Sequence, residues 1–285
     1  MTSEKILDLV ARAAPYLAKH GSSSPRLDAE LLLAEVLGID RMDLYLQFER
    51  PLTVAEVDSF RALCRRRAGG EPVAYIRGRR EFMSLDLLVT PAVMIPRPET
   101  EVLVEEGLRR LKARAGEGHR PRALDVGTGS GAIAVALAAH CPEALVVATE
   151  RSERALEVAR RNVERLEVKD RVELVAADLV DGVEGPFDLV AANLPYIDPD
   201  WDGAVSPEVL ASEPEEALFA GRDGLDVIGR LLPELPRLLA ADGVALLEFD
   251  PRARKALDAL VAGQPSRGTV LPDLAGLDRV LVLEP

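Results

Sequence analysis

Seven consecutive residues constrain this chain more than any others: Asp125-Val126-Gly127-Thr128-Gly129-Ser130-Gly131. They follow an apolar, β-branched run, Ala123–Val126, and open an alanine-rich helical stretch, Ala132–His140. Glycines at a strand-to-helix junction permit a tight turn and close approach of backbone to a ligand, while the helix N-terminus behind them offers unpaired N–H groups. The surrounding pattern says what kind of sheet carries the turn. Apolar runs at Ala123–Val126, Leu145–Ala148, Val172–Val175, Leu189–Ala192 and Val244–Phe249 alternate with helical stretches at Ala132–His140, Ser152–Leu166 and Leu225–Leu239. That alternation predicts an α/β fold, parallel strands joined by helical crossovers in a doubly wound, Rossmann-like sheet, with Arg279–Leu283 as a last strand.

The N-terminal part reads differently. Ile6, Leu9, Val10, Ala13 and Leu17, then Leu27, Leu31, Leu32, Ala34, Val36 and Leu37, then Val54, Val57, Phe60 and Leu63 recur at helical spacing. Gly21 and Gly38 fall just past two helix ends, and Thr53 with Glu56 three residues on is a capping-box pattern. Residues 1–73 are therefore expected to form a helical bundle. Gly78, the alternating Phe82, Leu85, Leu87 and Val89, and Pro91 predict a β-hairpin linker over 74–95, leaving 96–285 as the α/β domain.

Charge separates the two parts. The net charge of the 285 residues is −13, yet residues 1–95 carry 13 basic and 13 acidic side chains, so the excess lies wholly in the α/β domain. Such a field repels phosphate backbones, and nucleic acid is not the expected substrate. Hydrophobic residues at 48% exclude disorder, and no apolar run approaches the ~18 residues of a membrane span. Charges at Glu4, Asp8 and Arg12 rule out a secretory signal within the N-terminal pattern, and Cys64 and Cys141 form neither a disulfide framework nor a zinc set. A cytoplasmic, metal-free monomer is expected. His20, His119 and His140 read as surface residues, and the cluster Arg61, Arg65, Arg66, Arg67, Arg77, Arg79 and Arg80 as a solvated helix face or a docking surface.

Two further segments bear on chemistry. Glu150 ends the strand after the glycine turn, where a carboxylate can accept hydrogen bonds from both hydroxyls of a ribose. Dinucleotide and S-adenosylmethionine sites share that pair of features, and both remain open on this evidence. Asn193-Leu194-Pro195-Tyr196 then ends the Phe187–Ala192 strand. Asn193 brings a side-chain carbonyl, the Leu194–Pro195 segment a backbone carbonyl, and Tyr196 a flat ring, so an NH2 group on a planar system could be held by both its protons. An amide and a base amine satisfy this turn equally, whereas a hydride-transferring enzyme has no use for it.

Residues 123–196 resemble a class I S-adenosylmethionine-dependent methyltransferase of the group with an Asn-(Pro/Leu)-Pro-Tyr signature. Gly70-Glu71-Pro72, Tyr75-Ile76, Gly78, Phe82 and Ile95-Pro96-Arg97-Pro98-Glu99-Thr100-Glu101 resemble the peptide chain release factor N5-glutamine methyltransferase family, as do Glu213-Pro214, Ala217-Leu218-Phe219, Asp223-Gly224-Leu225 and Asp273-Leu274-Ala275-Gly276. The likeness covers nearly the whole chain. Departures are Glu150 in place of the usual Asp, Leu194 where Pro is frequent, Leu179 after Asp178, and Leu247-Glu248-Phe249-Asp250 where a pattern ending in glycine is usual.

The resemblance implies methyl transfer from S-adenosylmethionine, leaving S-adenosylhomocysteine, to the glutamine amide of the Gly-Gly-Gln motif of class I release factors. It implies a cofactor site of Gly127, Thr128, Gly129, Ser130, Gly131, Glu150, Asp178, Leu179 and Asn193. Asn193, Leu194, Pro195 and Tyr196 would hold the substrate, with Asn193, Pro195 and Tyr196 as the catalytic set.

Overall fold

The computed structural model describes residues 4–203, 205–262 and 267–285. The chain divides into two compact units, one of Met1–Arg79 with Ser206–Ser212 and one of Arg80–Val205 with Glu213–Pro285.

Five helices build the first unit: α1 Ile6–Lys19, α2 Pro25–Leu37, α3 Arg41–Leu46, α4 Val54–Ala68 and α5 Val73–Arg77. Ile6, Leu9, Val10, Leu17, Leu32, Leu33, Phe60 and Ile76 meet in one core. The capping box forms as predicted, with Thr53 N–H donating to Glu56 Oε2 at 2.7 Å and Glu56 N–H to Thr53 Oγ1 at 3.2 Å. Gly38 ends α2 in the left-handed region at φ 63°. Two positions counted in the apolar pattern are corrected: Leu27 is 38% and Val54 78% exposed, Val54 being the first residue of its helix. On α2 the buried face instead takes in Asp28 and Glu30.

Those carboxylates are buried because each finds several donors. Glu30 accepts from Arg26, Arg41 and Tyr45, and Asp28 from Arg67 Nε at 2.7 Å and Ser22 Oγ at 2.7 Å. Arg67 also meets Glu208 at 2.7 Å. The arginine cluster is thus corrected: Arg67 is buried, Arg66 is paired to Glu71, and Arg77 and Arg79 both reach Glu35. Residues 74–77, expected at the start of the linker, are helical instead, because Ile76 packs into the helical core.

Along the chain a short hairpin follows, β1 Arg79–Phe82 and β2 Leu85–Leu88, and then α6 Glu101–Gly116; all of these but Arg79 belong to the second unit. Then come β3 Arg122–Val126, α7 Ala132–His140, β4 Leu145–Glu150, α8 Glu153–Arg165, β5 Val172–Ala176 and β6 Phe187–Ala192. After α9 Pro207–Ser212, which groups with the first unit, follow α10 Asp226–Leu231, α11 Leu235–Leu238, β7 Leu239–Glu248, α12 Arg254–Val261, β8 Arg267–Pro272 and β9 Asp278–Glu284. The helix expected over Leu225–Leu239 is broken into α10, a 3-10 turn and α11, since Pro233 and Pro236 withhold backbone donors.

Seven strands lie in the order β5-β4-β3-β6-β7-β9-β8, parallel from β5 to β7 and antiparallel at β9 and β8. The two faces of the sheet are covered by separate apolar clusters, one around α6 and α7 and one around α10, α11 and α12. Strand order reverses between β3 and β6, the place where open α/β sheets bind ligands. Cys141 is buried in the first cluster, and burial pushes the Cys64 thiol in the helical core up to about 12. No helix among the described residues is long and apolar enough to cross a membrane.

Candidate active site

Parallel register brings distant segments to one edge. Val126 of β3 is paired with Thr149 of β4 and with Ala192 of β6, so the next residues, Gly127, Glu150 and Asn193, emerge side by side. They border a cleft enclosing ≈ 1210 Å³, part of it open solvent. Of the predicted site residues, Gly127, Thr128, Gly129, Ser130, Glu150, Asp178, Leu179, Asn193, Leu194 and Pro195 line it. Gly131 and Tyr196 are not among its walls.

The glycine turn has the conformation its residues predict, with φ of 72°, 56° and 82° at Gly127, Gly129 and Gly131. A Cβ on Gly127 would come within 2.8 Å of Leu194 Cδ2, so the turn and the Asn193–Tyr196 segment pack against each other. Glu150 Oε2 accepts the Gly129 N–H at 3.0 Å and Oε1 the Ser152 N–H at 2.9 Å. Each oxygen accepts one backbone N–H and has a further lone-pair direction for a ribose hydroxyl. Beneath the turn, Asp125 Oδ2 accepts from Thr128 Oγ1 at 2.6 Å and from the Ala134 N–H at 3.0 Å, and burial pushes its carboxyl up to about 7.

Asn193 has one end satisfied and one end waiting. Its Nδ2 donates to Thr100 Oγ1 at 2.9 Å, while its Oδ1 is buried without a hydrogen-bond partner. Tyr196 is anchored the other way, donating its hydroxyl to Glu248 Oε1 at 3.1 Å. Burial first, then the neighbouring Glu248 charge, pushes the Tyr196 phenol well above its usual range, so it stays a donor. Its ring is therefore oriented from the Glu248 side, although the sequence suggested only a flat face toward substrate.

Segment 97–101 takes on a definite role. Arg97 Nη2 meets Glu213 Oε1 at 2.6 Å, Thr100 holds Asn193, and Glu101 Oε1 accepts the Met83 N–H at 2.9 Å. Thr100 and Glu248 are the site residues that sequence reading missed. The signal for Glu248 was a charged residue ending the apolar run Val244–Leu247; for Thr100 it was its place in the Ile95–Glu101 segment. Also lining the cleft, Asp178 meets Arg230, its Oδ2 2.6 Å from Nη2, and Leu179 sits in the left-handed region at φ 52°. Among the histidines, the His140 Nε2 is 2.9 Å from the Met83 carbonyl oxygen and the His20 Nδ1 is 2.8 Å from that of Tyr16.

A glycine turn, a strand-end acid and an asparagine at the switch point of this sheet define a class I methyltransferase. The Methyltransferase small domain family matches residues 100–216, and the PrmC N-terminal domain family matches residues 8–78. Among solved structures, a methyltransferase from Pyrococcus furiosus shares the fold, with a TM-score of 0.50 and 21% identity over 70% of this chain and 88% of that one. The hMettl16 catalytic domain does so with a TM-score of 0.53 and 17% identity over 76% and 81%.

The chain belongs to the release factor glutamine methyltransferase family. It is 39% identical to the member from Rhodopirellula baltica over 98% of this chain and 96% of that protein. The member from Geobacter sulfurreducens is 43% identical over 87% and 84%.

Proposed function

We propose that this protein methylates the side-chain amide nitrogen of the glutamine in the Gly-Gly-Gln motif of class I release factors, using S-adenosylmethionine. Family membership supports the reaction class and the substrate. One observation carries the chemistry: the buried, unpartnered Oδ1 of Asn193 at the wall of the cleft. An unsatisfied buried acceptor costs about 1–3 kcal/mol, and an incoming amide N–H removes that cost.

The residues present suit the cofactor. Glu150 retains acceptor capacity for the ribose, the glycine turn admits no side chain at Gly127, and Asp178 and Leu179 line the same cleft. When bound, S-adenosylmethionine supplies a methyl group on a positively charged sulfur. The protein's task is alignment, because an amide nitrogen has its lone pair delocalised into the carbonyl and is a poor nucleophile. Asn193 Oδ1 accepts one substrate N–H and the Leu194 carbonyl the other, which turns the nitrogen lone pair toward the methyl group. Pro195 fixes the turn that presents both acceptors. Orientation of this kind is worth about 7–11 kcal/mol.

Mass spectrometry of an unmethylated release factor after incubation with the protein and S-adenosylmethionine tests the proposal. The expected result is one added methyl on the Gly-Gly-Gln glutamine. No addition there, with methylation of adenine or cytosine in its place, would overturn it.

A further inference from the structure

One buried side chain ties the glycine turn to the hairpin. Asn162 of α8 is 0% exposed, and its oxygen and both amide protons are engaged. Oδ1 accepts the Leu88 N–H at 2.7 Å, while Nδ2 donates to the Leu88 carbonyl at 2.9 Å and to the Ser130 carbonyl at 2.8 Å. Ser130 belongs to the glycine turn and lines the cleft; Leu88 ends β2, between Phe82 and the Ala92–Met94 stretch, which line the same cleft.

Resting on the cleft as the S-adenosylmethionine site, we infer that Asn162 is a positioning residue for the cofactor: it locks the Ser130 peptide of the glycine turn to the hairpin strand, so that these two walls of the cleft keep one spacing.

Small residues bring α8 close enough to do this. Ala155, Ala159 and Asn162 recur at i, i+4 and i+7 and share one face of the helix. Ala155 lines the cleft, and a Cβ on Gly131 would stand 3.3 Å from Ala159 Cβ, so helix and turn are in contact where Asn162 reaches across. The turn is then gripped from two sides. Glu150 Oε2 takes the Gly129 N–H, and Asn162 takes the Ser130 carbonyl. Together they bracket residues 129–130. Without Asn162 the buried Ser130 carbonyl loses this donor, and a buried backbone acceptor left unpaired is costly enough to drive the peptide toward another partner. That movement carries Gly129 off Glu150, the carboxylate that the ribose requires.

At its other end Asn162 is attached to a fixed element. Met83 and Ser84 at the tip of the hairpin hold φ of 50° and 60°, which non-glycine residues keep only where their surroundings enforce it. The surroundings do so here, as Glu101 Oε1 accepts the Met83 N–H at 2.9 Å and His140 Nε2 lies 2.9 Å from the Met83 carbonyl oxygen.

The test compares wild type, Asn162→Ala, Asn162→Asp and Val163→Ala in the whole protein, reading S-adenosylmethionine affinity by calorimetry, kcat and KM with a release factor, and urea unfolding. Asn162→Asp keeps the acceptor for Leu88 but loses both donors, and Val163→Ala weakens the neighbouring buried position of α8 without touching either segment. Both Asn162 variants should bind S-adenosylmethionine about 10- to 100-fold more weakly, with KM for the cofactor rising in step. Their kcat at saturating cofactor should stay close to wild type, because the bonds of Asn162 go to Leu88 and Ser130 and not to the Asn193–Tyr196 segment. Val163→Ala should lose stability and keep its affinity.

Wild-type cofactor affinity in both Asn162 variants, or a loss no greater than that of Val163→Ala, would overturn the inference and leave Asn162 a role in stability alone. Should neither Asn162 variant fold, hydrogen exchange of the wild type decides: saturating S-adenosylmethionine should slow exchange of the Leu88 N–H, and an unchanged rate overturns the coupling. Failure of the cofactor site itself shows separately, as a wild type that binds no S-adenosylmethionine, and the inference then falls with it.

Discussion

The two units treat buried polar groups in opposite ways. In the helical unit Asp28, Glu30 and Arg67 are buried and saturated, Glu30 accepting from three donors and Arg67 donating to two carboxylates. Of the six buried side-chain polar atoms without a partner among the described residues, one, Glu4 Oε2, is in the helical unit, and four in the α/β unit sit at the carboxyl ends of adjacent parallel strands: Asp125 Oδ1 on β3, Thr149 Oγ1 on β4, Asn193 Oδ1 after β6 and Glu248 Oε2 on β7. Satisfied burial specifies a structure, since each charge would be costly without its partner. Of these four residues only Asn193 lines the cleft, so its Oδ1 is the orphaned acceptor open to a ligand.

This contrast breaks if a paired charge proves dispensable or an orphaned atom proves structural. The largest effect is expected from Arg67→Ala, which strands Asp28 and Glu208 and should cost about 3–5 kcal/mol in urea unfolding. A loss below about 1 kcal/mol, the worth of an exposed pair, would remove the distinction. Asn193→Ala should cut kcat about 100-fold or more while stability changes only by the value of one hydrogen bond, about 0.5–1.5 kcal/mol. Retained turnover would strip Oδ1 of its role. For Glu150→Ala, calorimetric titration should show S-adenosylmethionine affinity reduced by about 1.5–3 kcal/mol per lost ribose bond, since hydrogen bonds to a charged group are the stronger kind. Unchanged affinity would move the ribose elsewhere. Smallest is Thr53→Ala: loss of the α4 cap should lower stability by about 1 kcal/mol and leave methyl transfer untouched.

Local signals were legible and positional ones were not. The capping box at Thr53, the left-handed Gly38 and the span Ala132–His140 follow from nearest-neighbour chemistry, and the structure reproduces them. The helix expected over Leu225–Leu239 illustrates the opposite outcome, where apolar periodicity persisted through Pro233 and Pro236 although the backbone could not. Asp28 and Glu30 lie outside the apolar pattern of α2 and are nevertheless buried. Their partners, Arg67 and Arg41, lie on other helices, and no local pattern announces such pairing.

The same division runs through the site. By itself the sequence determined the glycine turn, the strand-end acid and the Asn193–Tyr196 segment, because each is a short run whose residue types serve one local geometry. Only tertiary structure decided that they share an edge, since strand order places β3 between β4 and β6 and the register aligns Val126 with Thr149 and Ala192. It also decided which groups stand behind them. Thr100 is 93 residues from Asn193, and Glu248 is 52 from Tyr196. A hydrogen bond depends on distance and direction in space, and separations of that length along the chain leave both undetermined until the sheet has formed.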